Sequence, residues 1–263
     1  MKKTPIVSDI HTNKSLGQHF LFDPGILGSI VDFSGVAAGD VVLEIGPGPG
    51  TLTRALLDRG ARVIAVEFDK ELADKLQSND SALTVINADF LQFDLEQMPR
   101  GYHVVANIPY YITAKIVRKL LTAENKPKTT TLLVQKEVAE RLTAGPGDLS
   151  ILAISTQVYS RVTPGPIVKK NLFTPPPKVD SQLVKMEIYD QSLIADVDEK
   201  EFFKLVKIGF SSPRKKVLKN IAGGLQKSPD EIRAMFVDAG IPENVRAEDL
   251  SVDTWKKLLK IFT

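Results

Sequence analysis

From residue 41 onward, short β-branched apolar runs alternate with longer stretches whose apolar residues recur every three to four positions. This is the pattern of a parallel sheet with crossover helices. The runs predict strands at 41–45, 63–66, 83–87, 102–106 and 130–134, and the stretches between them predict helices at 51–59, 70–78, 113–121 and 137–143. Ahead of the first strand, 24–34 reads as a helix opened by Asp23 with Pro24 in its first turn. Gly145-Pro146-Gly147 breaks the chain before a helical stretch at 150–157. Strand-like runs at 158–162 and 183–189, separated by a proline-rich loop, predict a hairpin edge to the sheet. Past Tyr189 the alternation ends. The segments 199–210, 214–223, 229–239 and 252–262 all carry helical spacing, with Ser228-Pro229 as a start signal and Gly240-Ile241-Pro242 as a stop. The expected architecture is an α/β sheet domain over 1–189 and a small all-helical domain over 190–263.

Composition narrows the partners. A chain of 263 residues with 43% hydrophobic and 25% charged positions is ordinary for a globular protein, and no apolar run reaches the ~20 residues a bilayer needs. The start, Met1-Lys2-Lys3, is basic, but no apolar stretch or small-residue cleavage site follows, so a cytoplasmic chain with no membrane partner is expected. The absence of cysteine excludes a disulfide framework, a thiolate zinc site and a cysteine nucleophile. His11, His19 and His103 lack ligand-like spacing, so no metal is expected.

The net charge of +2 hides an uneven distribution. Residues 40–100 hold eleven acids and six bases, whereas 204–220 carry Lys204, Lys207, Arg214, Lys215, Lys216 and Lys219 with no acid. Residues 161–178 add Arg161, Lys169, Lys170 and Lys178, again without an acid. Two uncompensated basic stretches favour a polyanion such as nucleic acid.

Candidate chemistry begins at Glu44-Ile45-Gly46-Pro47-Gly48-Pro49-Gly50, a glycine loop between the first strand and a helix. Thr51 stands where a dinucleotide fingerprint has its third glycine, which disfavours a pyrophosphate, and the lack of Gly-Lys-Ser/Thr excludes a P-loop. Glu67 closes the second strand at the distance expected of a ribose-binding carboxylate, and Asp89 follows the third, placed to accept from an exocyclic amine. Either acid alone reads equally as a helix N-cap. Together with the loop they describe adenosine without phosphates, which S-adenosylmethionine fits.

Asn107-Ile108-Pro109-Tyr110 ends the fourth strand. The amine of adenine is a poor nucleophile because its lone pair is delocalised into the ring. If the Asn107 side-chain oxygen and the Ile108 carbonyl, held out by Pro109, both accept from that amine, its lone pair can turn toward a sulfonium methyl. Tyr110 offers a face on which an extruded base can stack, worth about 1–3 kcal/mol. Phe173, ahead of the stiff Pro175-Pro176-Pro177, is either a second wall of that base pocket or a core residue.

These residues resemble the KsgA-type ribosomal RNA adenine dimethyltransferases. The resemblance is carried by Ser15-Leu16-Gly17-Gln18-His19-Phe20-Leu21, the Glu44 to Gly48 loop, Asn107-Ile108-Pro109-Tyr110 and Gln135-Lys136-Glu137-Val138-Ala139-Glu140-Arg141-Leu142. Phe173-Thr174-Pro175-Pro176-Pro177-Lys178-Val179-Asp180-Ser181 and Arg246-Ala247-Glu248-Asp249-Leu250-Ser251 complete it. It implies a Rossmann-like methyltransferase domain, a seven-stranded mostly parallel sheet, with a helical RNA-binding domain behind it. It also implies transfer of four methyl groups from S-adenosylmethionine to N6 of two adjacent adenosines near the 3′ end of 16S rRNA in the small ribosomal subunit. A monomer is expected, since nothing in the sequence suggests an obligate dimer. By position, His19, Leu21, Gly46, Glu67, Asp89 and Asn107 match the family's cofactor contacts. Asn107, Pro109 and Tyr110 match its catalytic motif, and Phe173 its base-stacking aromatic. His19 stands where many members have Asn, and Gly145-Pro146-Gly147-Asp148 is shorter than the usual family linker.

Rival readings share parts of this pattern. The erythromycin-resistance methyltransferases, which modify 23S rRNA, share the fold and the Asn-Ile-Pro-Tyr-like motif. The Gln135 to Leu142 and triple-proline segments favour the small-subunit enzyme. A non-catalytic ribosome assembly factor would have no use for the amine-activating turn at Asn107, and a DNA adenine methyltransferase lacks counterparts of the proline loop and the basic helical domain.

Overall fold

A computed structural model describes residues 18–262. His11 and the Ser15-Leu16-Gly17 part of the first motif lie outside the described residues. The chain begins with β1 (Phe20–Leu21), α1 (Pro24–Ser34), β2 (Val41–Ile45), α2 (Thr51–Asp58), β3 (Arg62–Glu67) and α3 (Lys70–Leu76). It continues through β4 (Leu83–Asn87), β5 (His103–Asn107), α4 (Thr113–Thr122), β6 (Thr129–Gln135), α5 (Lys136–Thr143) and α6 (Ile151–Gln157). Then come β7 (Ser160–Val168), β8 (Phe173–Thr174), β9 (Ser181–Ile188), α7 (Glu199–Gly209), α8 (Val217–Leu225), α9 (Pro229–Ala239) and α10 (Val252–Phe262).

Two compact units result. One runs to Ala139 and resumes over Val162–Ile188; the other holds Glu140–Arg161 and everything from Tyr189 onward. Sequence analysis drew a single boundary at 189/190. The grouping of 140–161 with the second unit carries no local sequence signal beyond the Gly145-Pro146-Gly147 break.

The first unit is built on a seven-stranded sheet in the order β4-β3-β2-β5-β6-β9-β7. Strands β4, β3, β2, β5 and β6 are parallel neighbours, and β9 runs antiparallel to β6 with Gln135 opposite Ser181. This is the parallel sheet expected from the alternating pattern, in the seven-stranded form that the resemblance implies. Leu27, Ile30 and Val31 of α1 and Leu52 and Leu56 of α2 share one buried cluster with Val42, Val63, Val105 and Leu133 of the sheet. Each fully buried aliphatic side chain contributes about 1.5–3 kcal/mol. Helix α1 begins as its sequence predicts: the Asp23 carboxylate accepts from the Ile26 N–H at 2.9 Å, Pro24 occupies the first turn, and Gly35 closes the helix in the left-handed region.

Two expectations are corrected, and one strand pair was not expected. The strand predicted at 158–162 is Ser160–Val168 and runs through Pro164 and Pro166. Proline lacks the ladder donor, but β7 is the edge of the sheet, where one side of the strand needs none. The helix predicted at 214–223 is Val217–Leu225, and Arg214, Lys215 and Lys216 stand on an exposed turn before it. The strand pair β1 and β8, two residues each with Leu21 opposite Phe173, is too short for any periodicity to reveal.

The second unit packs α7 to α10 around the buried Phe202, Ile221, Phe236 and Trp255. A Cβ at Gly209 would lie 2.1 Å from the Trp255 ring, so glycine is what lets α7 and α10 approach.

Candidate active site

The order β4-β3-β2-β5 lines up the ends of four parallel strands. Asp89 follows β4, Glu67 ends β3, Gly46 follows β2 and Asn107 ends β5, so the four stand in a row about 14 Å long at ~4.8 Å per strand. The carboxyl edge of an open parallel sheet is where such folds bind ligands.

The loop after β2 approaches this row through its glycines. Gly48 has φ +56, and a Cβ there would sit 2.8 Å from the Phe20 ring, so the turn admits only glycine. At Gly46, with φ +65, an added Cβ would meet nothing within 4 Å, which leaves open space above the backbone for a ligand. Thr51, in place of a third glycine, donates its hydroxyl to the Leu21 carbonyl at 2.7 Å and fastens β1 to the start of α2.

Glu67 is buried, and both its oxygens are already engaged by backbone: Oε2 accepts from Gly48 N–H at 2.9 Å and Oε1 from Asp69 N–H at 2.8 Å. Each oxygen keeps a second lone pair, enough for a pair of ribose hydroxyls. Burial pushes its pKa up, while the Asp69 and Gly48 amides pull it down. Asn87 donates to the carbonyls of Glu67 and Phe68 at 2.9 and 3.1 Å and ties the end of β4 to that of β3. Asp89 accepts from Leu91 N–H through Oδ1 at 2.8 Å, and among the described residues its Oδ2 takes no hydrogen bond. Neither acid is a helix N-cap: Asp69 caps α3, and a turn follows Asp89; each accepts from local backbone N–H groups and retains capacity for a ligand.

Asn107 donates its side-chain amide to the His19 carbonyl at 3.0 Å, and this orients Oδ1 as the acceptor left free. Pro109 opens a single 3-10 turn, Tyr110–Ile112, and its carbonyl accepts from Ile112 N–H at 3.3 Å. The Tyr110 hydroxyl and Ser181 Oγ are 2.6 Å apart, and burial pushes the phenol's pKa up. The His19 ring, held by the Pro175 carbonyl at 2.8 Å from Nδ1, stacks on Tyr110 with centroids 5.7 Å apart and planes at 25°. Sequence reasoning named His19 for the cofactor alone. Its anchoring of Asn107 and Tyr110, and the part of Ser181, were missed, although both lie inside motifs quoted above.

Of the two readings of Phe173, the structure contains the buried one. Its ring is 3% exposed and belongs to the core with Leu21, Val168 and Leu183, so the expectation of an open second wall is corrected. The hydrophobic payload of the ring and the β1–β8 pairing account for its position. Leu21 is buried in the same cluster, with its carbonyl taken by Thr51.

Sequence reasoning gave Glu44 no role. It is 1% exposed, its Oε2 has no hydrogen-bond partner among the described residues, and it borders a cavity of about 20 Å³ together with Asn107, Thr51 and Phe20. Burial, opposed by Thr53 and reinforced by the charge of Glu67, pushes its pKa to about 8. Taken together, the open space at Gly46, the spare capacity of Glu67 and Asp89 and the free oxygen of Asn107 fit an adenosine-bearing sulfonium ligand.

Comparison with known proteins agrees with this geometry. A family model described as ribosomal RNA adenine dimethylase matches residues 10–263. The chain is 38% identical over 260 residues to ribosomal RNA small subunit methyltransferase A of Dehalococcoides mccartyi, covering 97% of this chain and 89% of the relative. It is 39% identical over 255 residues to the protein of the same description from Alkaliphilus oremlandii, covering 92% and 89%. Among solved structures, a dimethyladenosine transferase from Plasmodium falciparum superposes with a TM-score of 0.78 at 28% identity, over 93% of this chain and 97% of the other. The 23S rRNA methyltransferase ErmE gives 0.75 at 28% identity, over 92% and 98%.

Proposed function

This chain belongs to the ribosomal RNA adenine dimethylase family, and we propose that it dimethylates N6 of two adjacent adenosines near the 3′ end of 16S rRNA during small-subunit biogenesis. It is an S-adenosylmethionine-dependent rRNA adenine methyltransferase. The small subunit is favoured because the relatives 38–39% identical over most of the chain are small-subunit methyltransferases, and the Gln135 to Leu142 and triple-proline segments point the same way. A monomer acting in the cytoplasm is part of this reading; among the described residues no helix is long and apolar enough to cross a membrane.

The cofactor, when bound, supplies an electrophilic methyl on a positively charged sulfur. Glu67 holds the ribose hydroxyls, Asp89 accepts from the adenine amine, and Gly46 lets the ligand lie against bare backbone. At the other end of the row, Asn107 Oδ1 and the Ile108 carbonyl accept both protons of the target amine, which localises its lone pair and aims it. The base lies on the Tyr110 face that His19 leaves free, and the Ser181 contact sets the angle of that ring. The target must leave its stack, at a cost of a few kcal/mol that stacking offsets in part.

The observation that carries this reading is the Asn107 to His19 bond, which leaves an acceptor pointing from the end of β5. Asn107→Ala should lower kcat by about 100- to 1000-fold, the usual effect of removing one preorganised polar group. Binding to the small subunit should stay near that of the wild type. Labelled methyl transfer to each purified subunit provides the direct test: label confined to the large subunit, or full activity in Asn107→Ala, would refute the assignment.

A further inference from the structure

Tyr111, one residue beyond the catalytic motif, is 67% exposed. A single exposed aromatic ring means little by itself. This one heads a helical face. Lys115 and Arg118, four and seven residues on, are also exposed, while Ile116, Val117, Leu120 and Leu121 are buried on the opposite side of α4. Among the described residues neither the Lys115 nor the Arg118 side chain forms an ion pair or hydrogen bond, and no acid occurs in the sequence between Glu96 and Glu124. Lys119, the third cation of the helix, turns inward to the Leu91 and Phe93 carbonyls. The face therefore presents an aromatic plane and then two unpaired positive charges. Tyr111 stands in the 3-10 turn just ahead of α4, and Lys115 and Arg118 follow on the helix, about 4.5 Å apart at 1.5 Å per residue.

We infer that the face carrying Tyr111, Lys115 and Arg118 binds the single-stranded RNA beside the adenosine being methylated, with one base stacked on Tyr111 and phosphates on the two cations. The inference rests on the proposed function, which places an extruded adenosine at Asn107. A strand whose target base is held there must pass over adjacent surface, and the turn Tyr110–Ile112 puts Tyr111 next in line. Aromatic platforms beside a positive track are how proteins hold unpaired strands. With Asp89 and Glu67 at the far end of the row, the cofactor and the RNA take opposite ends of one sheet edge.

Equilibrium binding to purified small subunits at several salt concentrations tests this, with methylation of the wild type measured in parallel. Tyr111→Ala should weaken subunit binding about 5- to 100-fold, as loss of one stacked base does, while Tyr111→Phe should bind nearly as wild type. Lys115→Gln with Arg118→Gln should make the slope of log K against log salt shallower by about 1.4, two single-strand phosphate contacts at ~0.7 each. Cofactor affinity and melting temperature should not move in any of these variants. If the wild type methylates the subunit but the variants keep its affinity and salt slope, the inference is wrong and the functional reading stands. If the wild type neither binds nor methylates the subunit, both fall.

Discussion

Asn107, His19 and Tyr110 form a small rigid assembly, because each uses one polar group to fix another: amide to carbonyl, ring nitrogen to the Pro175 carbonyl, phenol to Ser181. Preorganisation of this kind matters most where the chemistry needs no protein nucleophile and positioning must supply the acceleration. Glu44 works in the opposite sense, as a cost to the folded state. An unfolded Glu ionises near 4.5, but the folded chain holds Glu44 protonated up to about 8. Between those values the unfolded state binds fewer protons, so stability falls as pH rises through the window. Glu44→Gln should abolish that loss and gain on the order of 1–4 kcal/mol over the wild type at pH 8.5, with little gain at pH 4.5. Denaturant melts of both proteins at the two pH values check it, and parallel pH slopes would contradict the assignment. The sequence quoted Glu44 within its loop but could not mark it as buried, since burial depends on what Phe20 and Asn107 bring over it from elsewhere.

Helix α4 links the two ends of the site. It starts just after the Tyr110–Ile112 turn, and its Lys119 ammonium reaches the carbonyls of Leu91 and Phe93 at 3.0 and 2.5 Å and lies 5.3 Å from the Phe90 ring centre. It thereby braces the loop that begins at Asp89. Lys119 is a positioning residue in this account, acting on the cofactor through Asp89. Lys119→Met should raise the Kd for S-adenosylmethionine by about 5- to 20-fold, since charged hydrogen bonds contribute about 1.5–3 kcal/mol and the loop retains other contacts. Lys119→Arg should recover part of that affinity. Calorimetric titration with the cofactor measures both, and an unchanged Kd in a folded Lys119→Met would remove the role. Element by element, the parallel strands and their helices were legible because each buries one face with its own period. The edge strand β7 was not, because proline reads as a breaker unless the strand is known to be outermost. Helix α8 began three residues late because a turn closed by Lys215 N–H to the Ser212 carbonyl at 2.9 Å precedes it, and the cations assigned to the helix stand on that turn.

At the scale of the whole molecule, the basic stretches at 161–178 and 204–220 favour a polyanion as partner, although the fold pairs Lys169 with Asp180 and Lys204 with Glu201. Subunit binding should weaken at least about tenfold between 50 and 200 mM salt, and a flat response in a filter-binding series would contradict phosphate contacts. The sequence by itself determined the fold class and the family, and it named most residues of the candidate site. A strand period, a glycine loop and a strand-end motif are local, each spanning a few residues with a physical requirement of its own. Only the tertiary structure decided how the site is held. Asn107 meets His19 across 88 residues, Tyr110 meets Ser181 across 71, and His19 meets Pro175 across 156. It likewise placed Phe173 in the core and carried 140–161 into the second unit. Such pairings leave no periodic trace along the chain, because they arise only when the sheet order brings distant loops to one edge.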